Sequence, residues 1–402
     1  MIMIPLALVL LQSAISGQAV SSPPPPSVPL AQSADAEGKT IVVVGRRVED
    51  SERALAACIA RNCPPKDEID ASLAHAENQF IAGDYTEAQR TLAKARGRNM
   101  RYRKELPVEV GDLLRASGRM LALNGQRDAS RITAIDSLDA LKSGLPSTDR
   151  RIFIQRLAVG DAFAKEGRFI AARDVYNKVA DQANAAGDIR VKGYALFRIA
   201  GMYTTIATKL PDYRETAYRS LRRIDETTEP DLAPFRQAAE LLRCRMEDAT
   251  GGKDGRACLQ ASGADRVSTA ELMYAPPIDL TNWRRENTSN VVVPHGDATA
   301  QWADIAFWVA PDGKVRDIDI VRKSANADGP WLKLVTEALG KRLYRPLKLA
   351  SSDPGIRRIE RYSLVYDVAL AKGSRIRTRS TVPHIEILDL TVEPEVSGSA
   401  TA

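Results

Sequence analysis

Residues 76–95 read AENQFIAGDYTEAQRTLAKA, and residues 160–180 read GDAFAKEGRFIAARDVYNKVA. The first sets Ala76, Phe80, Gly83, Tyr85 and Ala88 in a frame of small residue, aromatic, glycine, aromatic, small residue; the second repeats it with Phe163, Gly167, Phe169 and Ala172. Between them, residues 119–136 (RMLALNGQRDASRITAID) keep the frame around Gly125, so the three glycines stand 42 residues apart. A weaker copy at 207–221 (ATKLPDYRETAYRSL) puts Pro211 and Tyr213 near the next step. Each unit reads as helix, Gly-marked turn, helix, with apolar residues at i, i+3 and i+4 on the inner face. A unit of this size cannot bury that face alone and must stack on its neighbours. The expectation is an all-α helical-repeat solenoid over residues 67–262.

A different periodicity rules further on. In residues 303–324 (ADIAFWVAPDGKVRDIDIVRKS), Ile305, Phe307 and Val309 alternate with Asp304, Ala306 and Trp308, the period-two signature of a strand. Pro311, Asp312 and Gly313 are turn chemistry. In the following strand Val315 is out of phase with Ile318 and Ile320, which calls for a bulge near Arg316 and Asp317. Trp331, Leu334, Val335, Ala338 and Leu339 fall on one helical face after Pro330, a good first-turn residue. Tyr362, Leu364, Tyr366 and Val368 alternate again, giving a small α+β module of order β-β-α-β.

The amino terminus carries an apolar run from Ile2 to Leu11, then Gly17 and Ala19 at the −3 and −1 positions of a cleavage site. This is the pattern of a secretory signal, although no Lys or Arg precedes the run. The expected partition is a signal peptide (1–19), a Pro/Ser-rich linker (20–38), a short strand at Ile41 to Val44 with a disulfide-stapled helix (39–66), the repeats (67–262), a linker (263–290), the α+β domain (291–372) and a tail with one strand (373–402). Export places the chain in the periplasm. The alternative is an uncleaved inner-membrane anchor, for which the apolar run is shorter than the ~20 residues a span needs.

The four cysteines fall into local pairs, Cys58 with Cys63 and Cys244 with Cys258, as expected of disulfides in an exported chain. Residues five apart point ~140° from each other on a helix, so the first pair requires the helix to end between them, before Pro64 and Pro65. The chain has only three histidines, and C-x4-C is not a redox motif, so no metal site is expected. The net charge of +6 spreads over 57 basic and 51 acidic residues, a mixed surface and not a nucleic-acid stripe. The glycine-rich run at residues 249–255 (ATGGKDG) lacks the first glycine and the Ser or Thr of a phosphate loop. No nucleophile elbow or acid-paired histidine is apparent, and no enzyme, catalytic residue or cofactor is expected.

The repeat frame resembles tetratricopeptide repeats, on Ala76, Phe80, Gly83, Tyr85, Ala88, Gly125, Phe163, Gly167, Phe169 and Ala172. The spacing exceeds that family's usual ~34 residues, which implies longer helices or looser links. The resemblance implies a concave surface for protein or peptide partners. Residues 291–371 resemble the C-terminal domain of TonB-type energy transducers, on the hairpin FWVAPDGKVRDIDIVRKS, the spacing of Gly313, Val315, Ile318 and Ile320, the following Ser324, and LYRP at 343–346. Arg342 stands where that family carries a Trp. The resemblance implies that the edge of the last strand, at Tyr362, Leu364, Tyr366 and Val368, pairs with an extended peptide of a TonB-dependent receptor. An adaptor of the cell envelope is the expected function, with a membrane-anchored variant energy transducer as the alternative.

An outermost strand invites aggregation unless covered. Two segments suit the role: the tail PHIEILDLTV (383–392) and KTIVVVGRR (39–47), which resembles the receptor box itself. The shorter closing loop favours the tail.

Overall fold

The structure, a computed structural model, describes residues 48–251, 255–262, 266–280, 301–350, 352–370 and 377–391. The expected signal peptide, the Pro-rich linker and the strand at Ile41 to Val44 lie outside the described residues.

Helix α1 (Val48–Ala60) opens the array and α2 (Pro65–Ala82) returns along it. They are tied by Ser51 Oγ and His75 Nδ1 at 2.9 Å. The helix of the expected 39–66 segment is thus the first member of the array. Asn62 takes a left-handed conformation (φ 51°) and the Cys63 amide donates to the Cys58 carbonyl at 3.0 Å, so the helix stops between the cysteines. Cys58 and Cys63 are bridged with Cα atoms 5.1 Å apart, and Cys244 and Cys258 with Cα atoms 5.5 Å apart.

Three helical hairpins follow in the expected frame: α2 with α3 (Tyr85–Asn99), α4 (Pro107–Leu123) with α5 (Arg127–Gly144), and α6 (Arg150–Lys165) with α7 (Phe169–Ala185). Gly83, Gly125 and Gly167 have φ of 97°, 72° and 75°. Each turn makes the same bond, the amide after the glycine donating five residues back: Asp84 to Gln79 O at 2.8 Å, Gln126 to Leu121 O at 2.8 Å, Arg168 to Phe163 O at 2.9 Å. The weaker fourth copy is α8 (Ile189–Ala207) with α9 (Arg214–Asp225), joined through a single 3-10 turn at Pro211–Tyr213. α10 (Ala233–Ala249) and α11 (Gly255–Ser262) close the array. Helices reach 19 residues in α8 and 18 in α2, and a 3-10 turn at Met100–Tyr102 continues α3 toward α4, with the Leu106 amide donating to Tyr102 O at 2.8 Å. Ala76, Tyr85, Ala88 and Ala172 are buried, and the Phe80 and Tyr85 rings stack at 5.0 Å. The fold of this half is a repeat of antiparallel helical hairpins. Among the described residues no helix is long and apolar enough to cross a membrane.

The second body is a four-stranded antiparallel sheet of order β3-β2-β5-β6: β2 (Gln301–Val309), β3 (Val315–Lys323), β5 (Ile356–Leu370) and β6 (Arg377–Asp389). Helix α12 (Pro330–Gly340) packs on one face, burying Trp331, Val335 and Leu339 against Ile305, Phe307, Tyr362 and Leu364. The expected bulge is present: Ala306 pairs with Asp319 but Trp308 with Arg316, and Asp317 has φ 51°. The stretch expected as a linker at 263–290 carries β1 (Leu272–Tyr274), which pairs with β4 (Leu343–Tyr344). Ala270 and Leu272 are apolar enough to join this core, so the sheet body begins earlier than composition implied. Arg342 is buried, yet both Glu360 oxygens lie within 2.9 Å and the Tyr362 hydroxyl also lies at 2.9 Å, so its charge is met.

Candidate functional site

The second face of the sheet is laid on the row of repeat turns. At the first turn the Trp302 ring covers Gly83, and a Cβ there would sit 2.2 Å from it. Arg361 of β5 is fully buried in the same place. It donates to both Asp304 oxygens at 2.6 and 2.9 Å and to the Phe80 and Ile81 carbonyls at 2.5 and 2.8 Å. Those carbonyls end α2, where the dipole favours a cation; Phe80 O also accepts from the Gly83 amide at 3.0 Å and Ile81 O from Arg322 at 3.2 Å. The Trp302 ring lies 4.1 Å from the guanidinium and completes the enclosure. At the second turn the Val368 amide donates to Gly125 O at 2.8 Å, and Arg379 donates to Asn124 O at 2.6 Å. At the third, Lys165 meets Glu386 of β6 at 3.2 Å.

Asp304 and Arg361 were not singled out by the sequence. Strand alternation put Asp304 on the face opposite Ile305, Phe307 and Val309. The available signal was its own face of β2, where Trp302, Ala306 and Trp308 are too apolar for a solvent face.

The strand expected at the edge, with Tyr362, Leu364, Tyr366 and Val368, is not outermost. β2 pairs with one side of it and β6 with the other, in register from Glu360↔Asp389 to Leu370↔Arg377. The tail is therefore the cover. It sets Ile387, Ile385, Pro383 and Arg379 opposite Tyr362, Leu364, Tyr366 and Val368. Pro383 lacks a donor, which an outermost strand tolerates. A register shift separates Tyr366 from Val368, next to that proline.

The opposite side chains of β6 point at the helices. His384, Glu386 and Leu388 wall one side of a groove of about 490 Å³ whose floor is α4, α6 and α8, with Leu114, Gly118, Ala122, Gln155, Ala158 and Phe197. Arg127 reaches His384 at 3.2 Å and Asp367 at 2.7 Å. Burial alone would raise the Glu386 carboxyl, but Lys165 and His384 outweigh it and hold the group down, to about 2. Arg198 and Tyr176 both bond Asp161 in the groove wall, at 2.9 and 2.7 Å. Arg115 and Arg119 are exposed along α4, and Arg119 has no acidic partner among the described residues.

Glu240 Oε1 lies 3.9 and 3.6 Å from the sulfurs of Cys244 and Cys258. Those sulfurs are spent in the disulfide, which leaves a single carboxylate there.

No protein-family model matches the chain, and no curated protein matches it. Among solved structures it is similar to a putative kinesin light chain of Podosopora anserina with nearly identical TPR-like repeats, at 14% identity over 50% of this chain and 95% of that one, TM-score 0.39. It is also similar to BtubC (BKLC) from P. vanneervenii, at 12% identity over 64% of this chain and 97% of that one, TM-score 0.42.

Proposed function

We propose that the chain is an exported, non-enzymatic adaptor of the cell envelope, with the helical repeats as scaffold and a TonB-like sheet domain that takes an extended peptide by strand addition. Its partner class is an extended segment of an envelope protein, of the kind a TonB-dependent receptor presents. The observation that carries the reading is β6. It already adds to β5 as a peptide would, with backbone pairing along Tyr362, Leu364, Tyr366 and Val368 and alternate side chains turned to the groove. The chain holds its own pseudo-ligand at that edge, and a partner's strand exchanges with it. Exchange frees the wall formed by His384, Glu386 and Leu388 and opens the groove to the same partner.

Titrating a synthetic Ile/Val-rich receptor-box peptide into the full-length protein and into a chain ending at Gly373 tests this, with the helical circular-dichroism signal as a check of folding. Weak binding is expected in the full-length protein, and affinity at least about tenfold higher once β6 is gone, roughly 1.4 kcal/mol. Equal affinities rule out the tail as a lid. No binding by either chain removes strand addition and leaves a shared fold alone.

A further inference from the structure

We propose that residues 94–104, with Arg61 at the same end of the helical array, dock the protein on an anionic lipid bilayer surface. This rests on the charge of that end and is independent of strand exchange at β6.

The run reads KARGRNMRYRK: six of its eleven residues are Lys or Arg and none is acidic. It spans the last turns of α3, the 3-10 turn at Met100–Tyr102 and the start of the link to α4. Arg98 meets Glu68, whereas Lys94, Arg96, Arg101, Arg103 and Lys104 have no acidic partner among the described residues. Around the groove, by contrast, Arg127, Arg131 and Arg198 each hold a carboxylate. The C-terminal dipole of α3 accounts for Arg96 and Arg98 in its last turn. Arg101, Arg103 and Lys104 lie past that turn and are exposed, and Glu105 is the nearest acid in sequence.

Glu68 stands in the first turn of α2, and Ser143, near the end of α5, donates to the Arg103 carbonyl at 2.7 Å. The run therefore occupies the end of the array where α2 begins and α3 and α5 finish, away from the Gly83 and Gly125 turns that meet the sheet. Arg61, exposed in the α1–α2 link and also without an acidic partner among the described residues, belongs to the same end.

None of these cations lines the groove, and cations carried outward on a helix end and a turn suit an extended surface, whereas a small ligand takes a concave site. Clusters of about four to eight Lys and Arg are the pattern that anionic headgroups hold. Tyr102 supplies an aromatic of the kind found at headgroup level: it is half-buried, with the Arg101 guanidinium 4.8 Å from its ring centroid. A nucleic-acid strand calls for stacking aromatics along the run, and Tyr102 is the one aromatic in it.

Cosedimentation of the full-length protein with vesicles tests this, using phosphatidylcholine alone and an equal mixture of phosphatidylcholine and phosphatidylglycerol. The expected result is binding to the mixed vesicles that weakens as salt rises and falls at least about tenfold with Arg101→Gln, Arg103→Gln and Lys104→Gln together. Lys178→Gln, Lys209→Gln and Arg219→Gln together remove exposed cations elsewhere on the array and change binding less than about twofold. The apolar run from Ile2 to Leu11 is common to all these chains, so their difference isolates the patch, with the helical circular-dichroism signal as a check of folding. Equal binding by the parent and the patch variant, equal binding to neutral and mixed vesicles, or no binding to either would overturn the proposal. A DNA duplex bound in preference to the mixed vesicles would make the partner a nucleic acid and overturn it as well.

Discussion

Arg361→Met lowers the stability of the protein by about 3–5 kcal/mol in urea unfolding. The guanidinium is fully buried and makes four bonds, two to Asp304 and one each to the Phe80 and Ile81 carbonyls. Methionine fills the volume but leaves a buried carboxylate and two helix-end carbonyls without this donor. Arg322 also pairs with Asp304, at 2.6 Å, and sets the loss toward the lower end. Arg361→Met combined with Asp304→Leu recovers part of the loss, because the buried charge leaves with its partner. Since the cluster joins β2, β5 and the end of α2, the single variant also separates sheet and repeat unfolding into two transitions. A loss below about 1 kcal/mol with one transition would mean that the cluster does not hold the two bodies together.

Gly125→Ala costs about 3 kcal/mol or more, whereas Gly167→Ala costs about 1 kcal/mol, although both glycines occupy the same turn position. Both have positive φ, at 72° and 75°, so both pay the ordinary strain of a side chain there. They differ in surroundings. A Cβ at 125 would stand 2.1 Å from the Tyr366 carbonyl oxygen, a backbone atom that cannot rotate away, whereas at 167 the nearest atom is Phe169 Cζ at 4.0 Å. The Val368-to-Gly125 bond breaks as the strand is pushed off. Gly83→Ala resembles Gly125→Ala, with the Trp302 ring as the obstacle. Denaturant midpoints of the three variants check the order. Equal costs would reduce the glycine row to turn chemistry.

The sequence carried much of this fold because its signals are local. Positive φ at a helix end requires a residue such as glycine, so Gly83, Gly125 and Gly167 mark their turns without reference to anything distant. The phase slip between Val315 and Ile318 marks the bulge for the same reason, and the local cysteine pairs mark the bridges. What stayed hidden depends on contacts far apart in the chain. Arg361 of β5, which touches the end of α2, is 281 positions from Phe80, and nothing in a strand's alternation tells water from a second body. Asp304 therefore passed as one more alternating residue of β2, and the 42-residue glycine row as turn chemistry alone, when it is also the seat of the sheet. Composition likewise gave no sign that Leu272 pairs at Tyr344. The edge itself was half legible. The tail could be recognised as a strand in search of a sheet, but the sequence does not say that its other side chains wall a groove.

The central claim is that β6 is a replaceable strand on a sheet otherwise locked to the repeats. Native-state hydrogen exchange of the full-length protein measures it directly. β6 is anchored beyond its ladder by Arg379, His384 and Glu386, whereas β2 is held between β3 and β5 and beneath the Arg361 cluster. The account predicts that amides of Ile385 to Leu388 exchange through a local opening, at least about 100-fold faster than those of Ala303 to Phe307, which open only with global unfolding. Exchange of both strands at one rate, with one denaturant dependence, would make β6 a permanent part of the core and contradict the account.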